Sequence, residues 1–215
     1  MSCLRIFPLI CIFSSLLGLF SGKVQAQPKT ISSRVIDLIR SGEPNRALEL
    51  LNIFPRNAIK TGEYYFLRGR AMQELKFNAE ALINYSIAIY IQPTNVKAFI
   101  NRALVRGALR DLDGAITDLN QASQLDPKNS IVFLNRGVTF ASLGKPRLAL
   151  SDFTKAISLN PRYADAYVNR GIIKVQLDDL SGACLDWKKS LELGSLDAQP
   201  WMKQSCQSQI VSEQN

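Results

Sequence analysis

An asparagine that recurs at a fixed interval is the feature of this sequence best suited to bind a ligand. Asn101, Asn135 and Asn169 stand 34 residues apart, and each is followed by an arginine and a small residue. A primary amide both donates and accepts hydrogen bonds, so a row of three suits the backbone of an extended peptide. The alternative is that the amides are simply solvated. Leu67 holds this position one interval upstream and ends the row.

The interval also predicts the elements that must position these asparagines. Four ungapped units carry an aromatic residue at position 4, a small residue at 8, leucine at 14, alanine at 20 and an apolar residue at 24. Apolar residues step by three and four in two stretches of each unit, which predicts two antiparallel helices. One hairpin cannot bury both of its faces, so we expect the hairpins to stack. The units are residues 62–95, 96–129, 130–163 and 164–197.

These columns resemble the tetratricopeptide repeat family in period and in residue pattern over all four units. The resemblance implies an all-α fold, a right-handed α-α superhelix of antiparallel helix hairpins. The sequence departs from the family at position 7, which is arginine in every unit, and at position 11. In the same register, residues 27–61 are predicted to form a degenerate N-terminal hairpin, and residues 198–215 a C-terminal capping helix with a tail.

The resemblance further implies where a partner binds. Similar arrays hold peptide segments on the concave face, which the first helices form at positions 2, 5, 6, 9, 12 and 13. Around the asparagines we expect apolar residues at positions 5 and 9, some of them packed between helices instead, with position 9 the more exposed. Only Arg70 and Lys97 could grip a carboxylate, so a clamp for a terminal carboxylate is not expected. The expected peptide-binding residues are Phe66, Arg70, Lys97, Ile100, Asn101, Leu104, Leu134, Asn135, Val138, Val168, Asn169 and Ile172.

The arginine at position 7 has a candidate partner inside the array. Position 23 carries Asp118, Asp152 and Asp186, with Asn84 in the first unit. We interpret the repeated Arg–Asp combination as an exposed ion pair between helices that sets their register and adds little stability. Ligand binding by the arginines is the alternative.

The first 26 residues predict export. An apolar run over residues 6–20 precedes Val24-Gln25-Ala26, a small-x-small cleavage pattern, so we expect a signal peptide that is cut before Gln27. The protein is then periplasmic or secreted, or lies in a thylakoid lumen; an uncleaved membrane anchor is the alternative. The net charge falls from +8 to +6 with this segment. In an oxidising compartment Cys184 and Cys206 would form a disulfide that staples the cap, and two buried free thiols are the other option.

Composition argues against several function classes. The chain has no histidine, no nucleophile elbow, no glycine-rich phosphate loop and no metal-spaced cysteine cluster, so we expect no catalytic residue, cofactor or metal. Arginines that alternate with aspartates do not form the basic stripe of a nucleic-acid-binding protein. We therefore expect a monomeric scaffold or assembly factor that binds a protein or peptide, with no small-molecule substrate. The rival is a structural module that self-associates through its N-terminal hairpin.

Overall fold

The computed structural model describes residues 30–53 and 61–206, and this part of the chain contains helices and no strand. The predicted signal peptide, part of the predicted N-terminal hairpin and the tail lie outside these residues. The helices are α1 (Ile31–Arg40), α2 (Pro44–Asn52), α3 (Gly62–Glu74), α4 (Asn78–Ile91), α5 (Val96–Ala108), α6 (Leu112–Leu125), α7 (Ser130–Ser142), α8 (Pro146–Leu159), α9 (Ala164–Gln176), α10 (Leu180–Glu192) and α11 (Gln199–Ser205).

Local chemistry explains where the helices begin and end. The Asn95 side chain accepts a hydrogen bond from the Ala98 amide, 3.1 Å away, and so caps α5. Each first helix ends in one left-handed residue at position 15, where φ lies between 62° and 67°. Only the third unit places glycine there, the residue that adopts this conformation most easily. These residues are Lys76, Arg110, Gly144 and Asp178.

The hairpins stack so that the two helices of each unit occupy different sides. The first helix of each unit packs against its own second helix and against the second helix of the unit before. First helices also contact one another directly, α3 with α5, α5 with α7 and α7 with α9, whereas successive second helices within the described residues do not. The array therefore curves toward the first helices, which form its inner, concave face. The predicted all-α stack of hairpins is confirmed.

The small residue at position 8 makes room for the large one at position 24. A Cβ atom on Gly137 would lie 2.6 Å from Cε1 of Phe153, which is 1% exposed. Gly69 faces Tyr85 and Gly171 faces Trp187 in the same way. The second unit instead pairs Ala103 with Leu119, both buried. Glycine at position 8 thus occurs with an aromatic residue at position 24, and alanine occurs with leucine. The two side chains share the space where the helices cross, so a larger residue at one position requires a smaller one at the other.

Additional helices cover both ends of the array. At the N-terminus α1 and α2 form a hairpin whose Val35 and Ile39 join a core cluster with Leu67. At the C-terminus Trp201 of α11 stacks on Trp187, with 5.8 Å between ring centroids. A disulfide joins Cys184 of α10 to Cys206, which directly follows α11. None of the described helices has the length and apolar character needed to cross a membrane.

Candidate functional site

In three of the four units the arginine at position 7 lies inside the array and connects three helices. Arg136 donates from Nε and Nη2 to the two carboxylate oxygens of Asp152 on α8, both at 2.8 Å. Its Nη1 donates to Oδ1 of Asn120 on α6, at 2.9 Å, and its guanidinium lies 5.3 Å from the ring centroid of Phe133. Hydrogen bonding to Asp152 raises the pKa of Arg136. Four of the five N–H donors of Arg136 are used inside the array, because Nη1 also donates to Oγ of Ser123 at 3.3 Å.

The predicted ion pair exists, but the expectation that it is exposed was wrong. Asp152 is only 6% exposed, so its charge has lost most of its hydration and depends on the guanidinium. The same pair recurs as Arg102 with Asp118 and as Arg170 with Asp186.

Position 11 adds a second cation to two of the three buried aspartates. Arg106 Nη1 lies 3.0 Å from Asp118, and Lys174 Nζ lies 2.9 Å from Asp186. Asp152 lacks this second cation because Phe140 holds position 11 of its unit. The departure from the family at position 11 was visible in the sequence, but its electrostatic role was not predicted.

Two of the asparagines have an open amide oxygen. Asn135 donates from Nδ2 to the Ile131 carbonyl at 2.9 Å, and Asn169 donates to the Asp165 carbonyl at 2.8 Å. Both bonds lie within the asparagine's own helix, so they fix the amide and turn its oxygen away from the backbone. Within residues 30–53 and 61–206 no hydrogen-bond donor reaches either oxygen. These two positions are therefore built as acceptors.

Asn101 has a different environment from the other two asparagines. Its side chain lies near the hydroxyl of Tyr85, whose pKa it lowers against the dominant effect of burial, and that hydroxyl donates to Oε1 of Gln73 at 2.7 Å. The Tyr85 side chain is fully buried, and burial raises its pKa well above the ordinary value. Asn101 thus serves the junction of the first two units. Leu67 ends the row because it is buried against the N-terminal hairpin.

Positions 5 and 9 lie at different depths. Ile100, Leu134 and Val168 at position 5 are between 7% and 9% exposed and belong to core clusters. Leu104 and Val138 at position 9 are 43% and 41% exposed, while Ile172 is half-buried. Phe66 is also half-buried, and its ring packs 6.0 Å from that of Tyr85. Position 9 therefore reaches the surface, and position 5 lies beneath it.

Two further apolar side chains are exposed at positions of the concave face, although the expected site did not include them. Ile131 at position 2 is 48% exposed, and Val175 at position 12 is 41% exposed. Gly107, also at position 12, faces open space, since a Cβ there would meet no atom within 4 Å. The helical positions alone could have identified all three. We name Leu104, Ile131, Val138 and Val175, with the two open oxygens of Asn135 and Asn169, the inner groove.

A cavity of about 520 Å³ lies at the N-terminal end of the array. It is lined by Ile36 of α1, by Phe66 and Leu67 of α3, and by Lys97 of α5. Lys97 is exposed and shares a mixed wall with the carboxylate of Glu63 and with polar residues such as Gln92, whereas Arg70 does not line this cavity. The described residues hold no cluster of acidic, cysteine or histidine side chains that could bind a metal ion.

The stack of hairpins defines the class of this protein, an α-helical repeat solenoid with a concave face. Residues 96–129 and 132–163 match the tetratricopeptide repeat family. These residues are therefore tetratricopeptide repeats, and the predicted all-α fold class is confirmed. No curated protein matches the sequence.

Solved structures share the fold at low sequence identity. Residues 41 to the end of MamA from Desulfovibrio magneticus RS-1 align with a TM-score of 0.67 at 19% identity, over 76% of this chain and 92% of that one. A further MamA crystal structure aligns with a TM-score of 0.67 at 17% identity, over 77% of this chain and 95% of that one. TTC0263, a thermophilic tetratricopeptide repeat protein of Thermus thermophilus, aligns with a TM-score of 0.67 at 19% identity. The alignment covers 80% of this chain and 94% of that one. At these identities the likeness shows the fold alone.

Proposed function

We propose that this protein is a non-enzymatic scaffold that holds an extended peptide segment of a partner protein in the inner groove. The observation that carries this proposal is the pair of open amide oxygens on Asn135 and Asn169 beside exposed apolar side chains. Repeated polar residues in a solenoid are expected to satisfy one another, as Arg102, Arg136 and Arg170 do with their aspartates. An amide oxygen that is held in place and left without a donor is suited to accept a hydrogen bond from a ligand.

The chemistry of the groove describes its ligand. Two acceptors suit the backbone N–H groups of an extended chain, which every sequence provides apart from proline. The exposed side chains around them are aliphatic, so the preferred segment carries apolar residues and little charge at that point. Ile100, Leu134, Val168 and the half-buried Ile172 form the support beneath. Lys97, Arg70 and Phe66 favour an acidic or aromatic residue at the N-terminal end, where Lys97 and Phe66 line the cavity.

Export is part of the same proposal. The small-x-small pattern before Gln27 and the disulfide between Cys184 and Cys206 both support an oxidising, exported compartment. A scaffold there would act on partners that have crossed the same membrane, for example as an assembly factor. Sequencing of the N-terminus of the exported protein tests this, and a first residue other than one near Gln27 would contradict it.

The groove is tested with an affinity-selected peptide and two matched variants. The double substitution Asn135→Ala with Asn169→Ala removes both acceptors and leaves the Arg–Asp pairs untouched. Each lost hydrogen bond costs about 0.5–1.5 kcal/mol, so we expect the loss of both to raise the dissociation constant by about 5- to 150-fold. Titration calorimetry with a peptide selected from a displayed library measures this change.

The control removes two amides from the outer face of the same array. Gln121→Ala with Gln124→Ala changes exposed residues of α6, and we expect its affinity to equal that of the wild type. Gly107→Phe places a ring in the open space of the groove and should abolish binding with the fold intact. Unchanged affinity in both groove variants would contradict the proposal.

A further inference from the structure

Helix α4 carries an apolar stripe on its outer face. Ile83 is 59% exposed and Tyr90 is 87% exposed, while Ile87 between them is half-buried. The three side chains follow one another at spacings of four and three residues, so they lie along one side of the helix. We name Ile83, Ile87 and Tyr90 the α4 stripe. Together with Leu82 and Ser86 they line a shallow hollow of about 370 Å³.

The other repeats show that the fold does not require apolar residues at these positions. The positions equivalent to the α4 stripe are mostly polar or charged in the other second helices, with Leu185 the exception. Among the described elements α4 packs only against α3 and α5, and neither covers the stripe. The equivalent residues are Thr117, Gln121 and Gln124 in α6, Ser151, Lys155 and Ser158 in α8, and Leu185, Lys189 and Glu192 in α10.

We propose that the α4 stripe joins two copies of this chain into a dimer. A two-fold axis across α4 with the helices antiparallel sets Ile83 of one copy opposite Ile87 of the other. The same register sets Tyr90 opposite Glu80, whose carboxylate can accept a hydrogen bond from the phenol. It also sets Ile91 opposite the small, exposed Ala79. One apolar stripe is thereby complementary to itself, as a closed two-fold interface requires.

The size of the exposed surface fits a second copy. Ile83 and Tyr90, with Phe77 and Ile91 that are 51% and 40% exposed at the two ends of the helix, present roughly 500 Å² of apolar surface per copy. A dimer would bury about 1,000 Å² in total, which is the lower limit for a specific interface. We therefore expect dimerisation in the micromolar range, which replaces the expectation of a monomer.

Charge favours a second copy over a lipid surface. Helices that lie on membranes carry lysine and arginine beside their apolar face, where the cations meet anionic headgroups. Helix α4 contains neither residue, and Glu80 is its only charged side chain. Two copies meeting along α4 bring no like charges opposite each other, because Glu80 faces Tyr90.

The dimer is tested by sedimentation equilibrium with variants taken from the chain itself. The triple substitution Ile83→Thr, Ile87→Gln and Tyr90→Gln gives α4 the residues that α6 carries at the same positions. Its control substitutes Ala for Thr117, Gln121 and Gln124 of α6. The protein is expressed from the full sequence and purified from the exported fraction, and circular dichroism verifies that each variant is folded.

We expect the wild type and the α6 variant to form dimers at micromolar concentration, and the α4 variant to dimerise at least tenfold more weakly. A wild type that remains monomeric throughout this range overturns the proposal. If that monomer co-floats with vesicles of anionic and zwitterionic lipid, the α4 stripe binds a lipid surface instead of a second copy. An α4 variant that is folded and dimerises like the wild type also overturns it, because the contact then lies elsewhere, for example on the N-terminal hairpin.

Discussion

One methyl group, added at two glycines of neighbouring first helices, should change stability in opposite directions. Gly137→Ala places a Cβ 2.6 Å from Cε1 of Phe153 and 2.8 Å from its Cδ1. Phe153 is 1% exposed and packs within a core cluster, so its ring has no space to move into. Gly107→Ala places the same methyl group where no atom lies within 4 Å. Both substitutions remove a helical glycine.

The magnitudes follow from this difference. Replacing a helical glycine by alanine contributes about 0.5–1 kcal/mol of stability, and Gly107→Ala should show this gain. Overpacking a dense core costs about 1–3 kcal/mol, so Gly137→Ala should be less stable than Gly107→Ala by that amount. The chain also suggests a rescue, because the second unit pairs Ala103 with Leu119. Adding Phe153→Leu to Gly137→Ala should therefore recover roughly 1 kcal/mol or more as a coupling free energy.

Urea unfolding followed by circular dichroism, with the disulfide intact, measures the four proteins. The clash predicts that the midpoint rises for Gly107→Ala, falls for Gly137→Ala, and falls by less than the sum of the single changes for the double variant. If Gly137→Ala and Gly107→Ala were equally stabilising, the close contact with Phe153 would not limit position 8. Additive effects in the double variant would show that the glycine–aromatic pairing has no energetic basis.

Two further substitutions test the buried ion pairs and the cap. Asp152→Asn leaves the Arg136 guanidinium without its counter-charge and should lower the free energy of unfolding by about 3 kcal/mol. Its control, Asp113→Asn on the exposed start of α6, should change the urea midpoint little. Similar midpoints for both variants would contradict a structural role for the pair. Cys206→Ser should lower the free energy of unfolding by about 2–4 kcal/mol and make the chain more susceptible to trypsin at Lys203. A cleavage pattern like that of the oxidised wild type would show that α11 stays docked without the disulfide.

The repeat columns predicted the fold well because each was observed four times. Position 8 was small in all units, position 20 was alanine in all units, and these regularities follow from the crossing of two helices. The partner of the position-7 arginine could be identified for the same reason. Its burial could not, because an Arg–Asp pair has the same spacing in sequence whether it lies in water or beneath a ring such as that of Phe133.

The candidate site was harder to predict because it depends on differences between units. Asn101 and Asn135 hold the same position, yet the unit before Asn101 provides a tyrosine hydroxyl at position 24, and the unit before Asn135 provides Leu119. A hydroxyl is a polar neighbour for the amide, as the effect of Asn101 on the Tyr85 pKa indicates, and a leucine side chain is not. Comparing each asparagine with position 24 of the preceding unit would have separated them. Depth along one helix face follows the expected order, since Val138 at position 9 is more exposed than Leu134 at position 5.

The inner groove and the α4 stripe lie on opposite sides of the array, so one can be occupied without blocking the other. The groove is built on α5, α7 and α9, and the stripe on α4, whose outer face points away from them. A dimer formed through α4 would therefore present two open grooves. The affinity of one groove for one peptide is then independent of dimerisation. Binding to a partner that displays several copies of the segment does depend on dimerisation. Once one groove of the dimer is occupied, the second groove meets another copy of the segment at a high effective concentration.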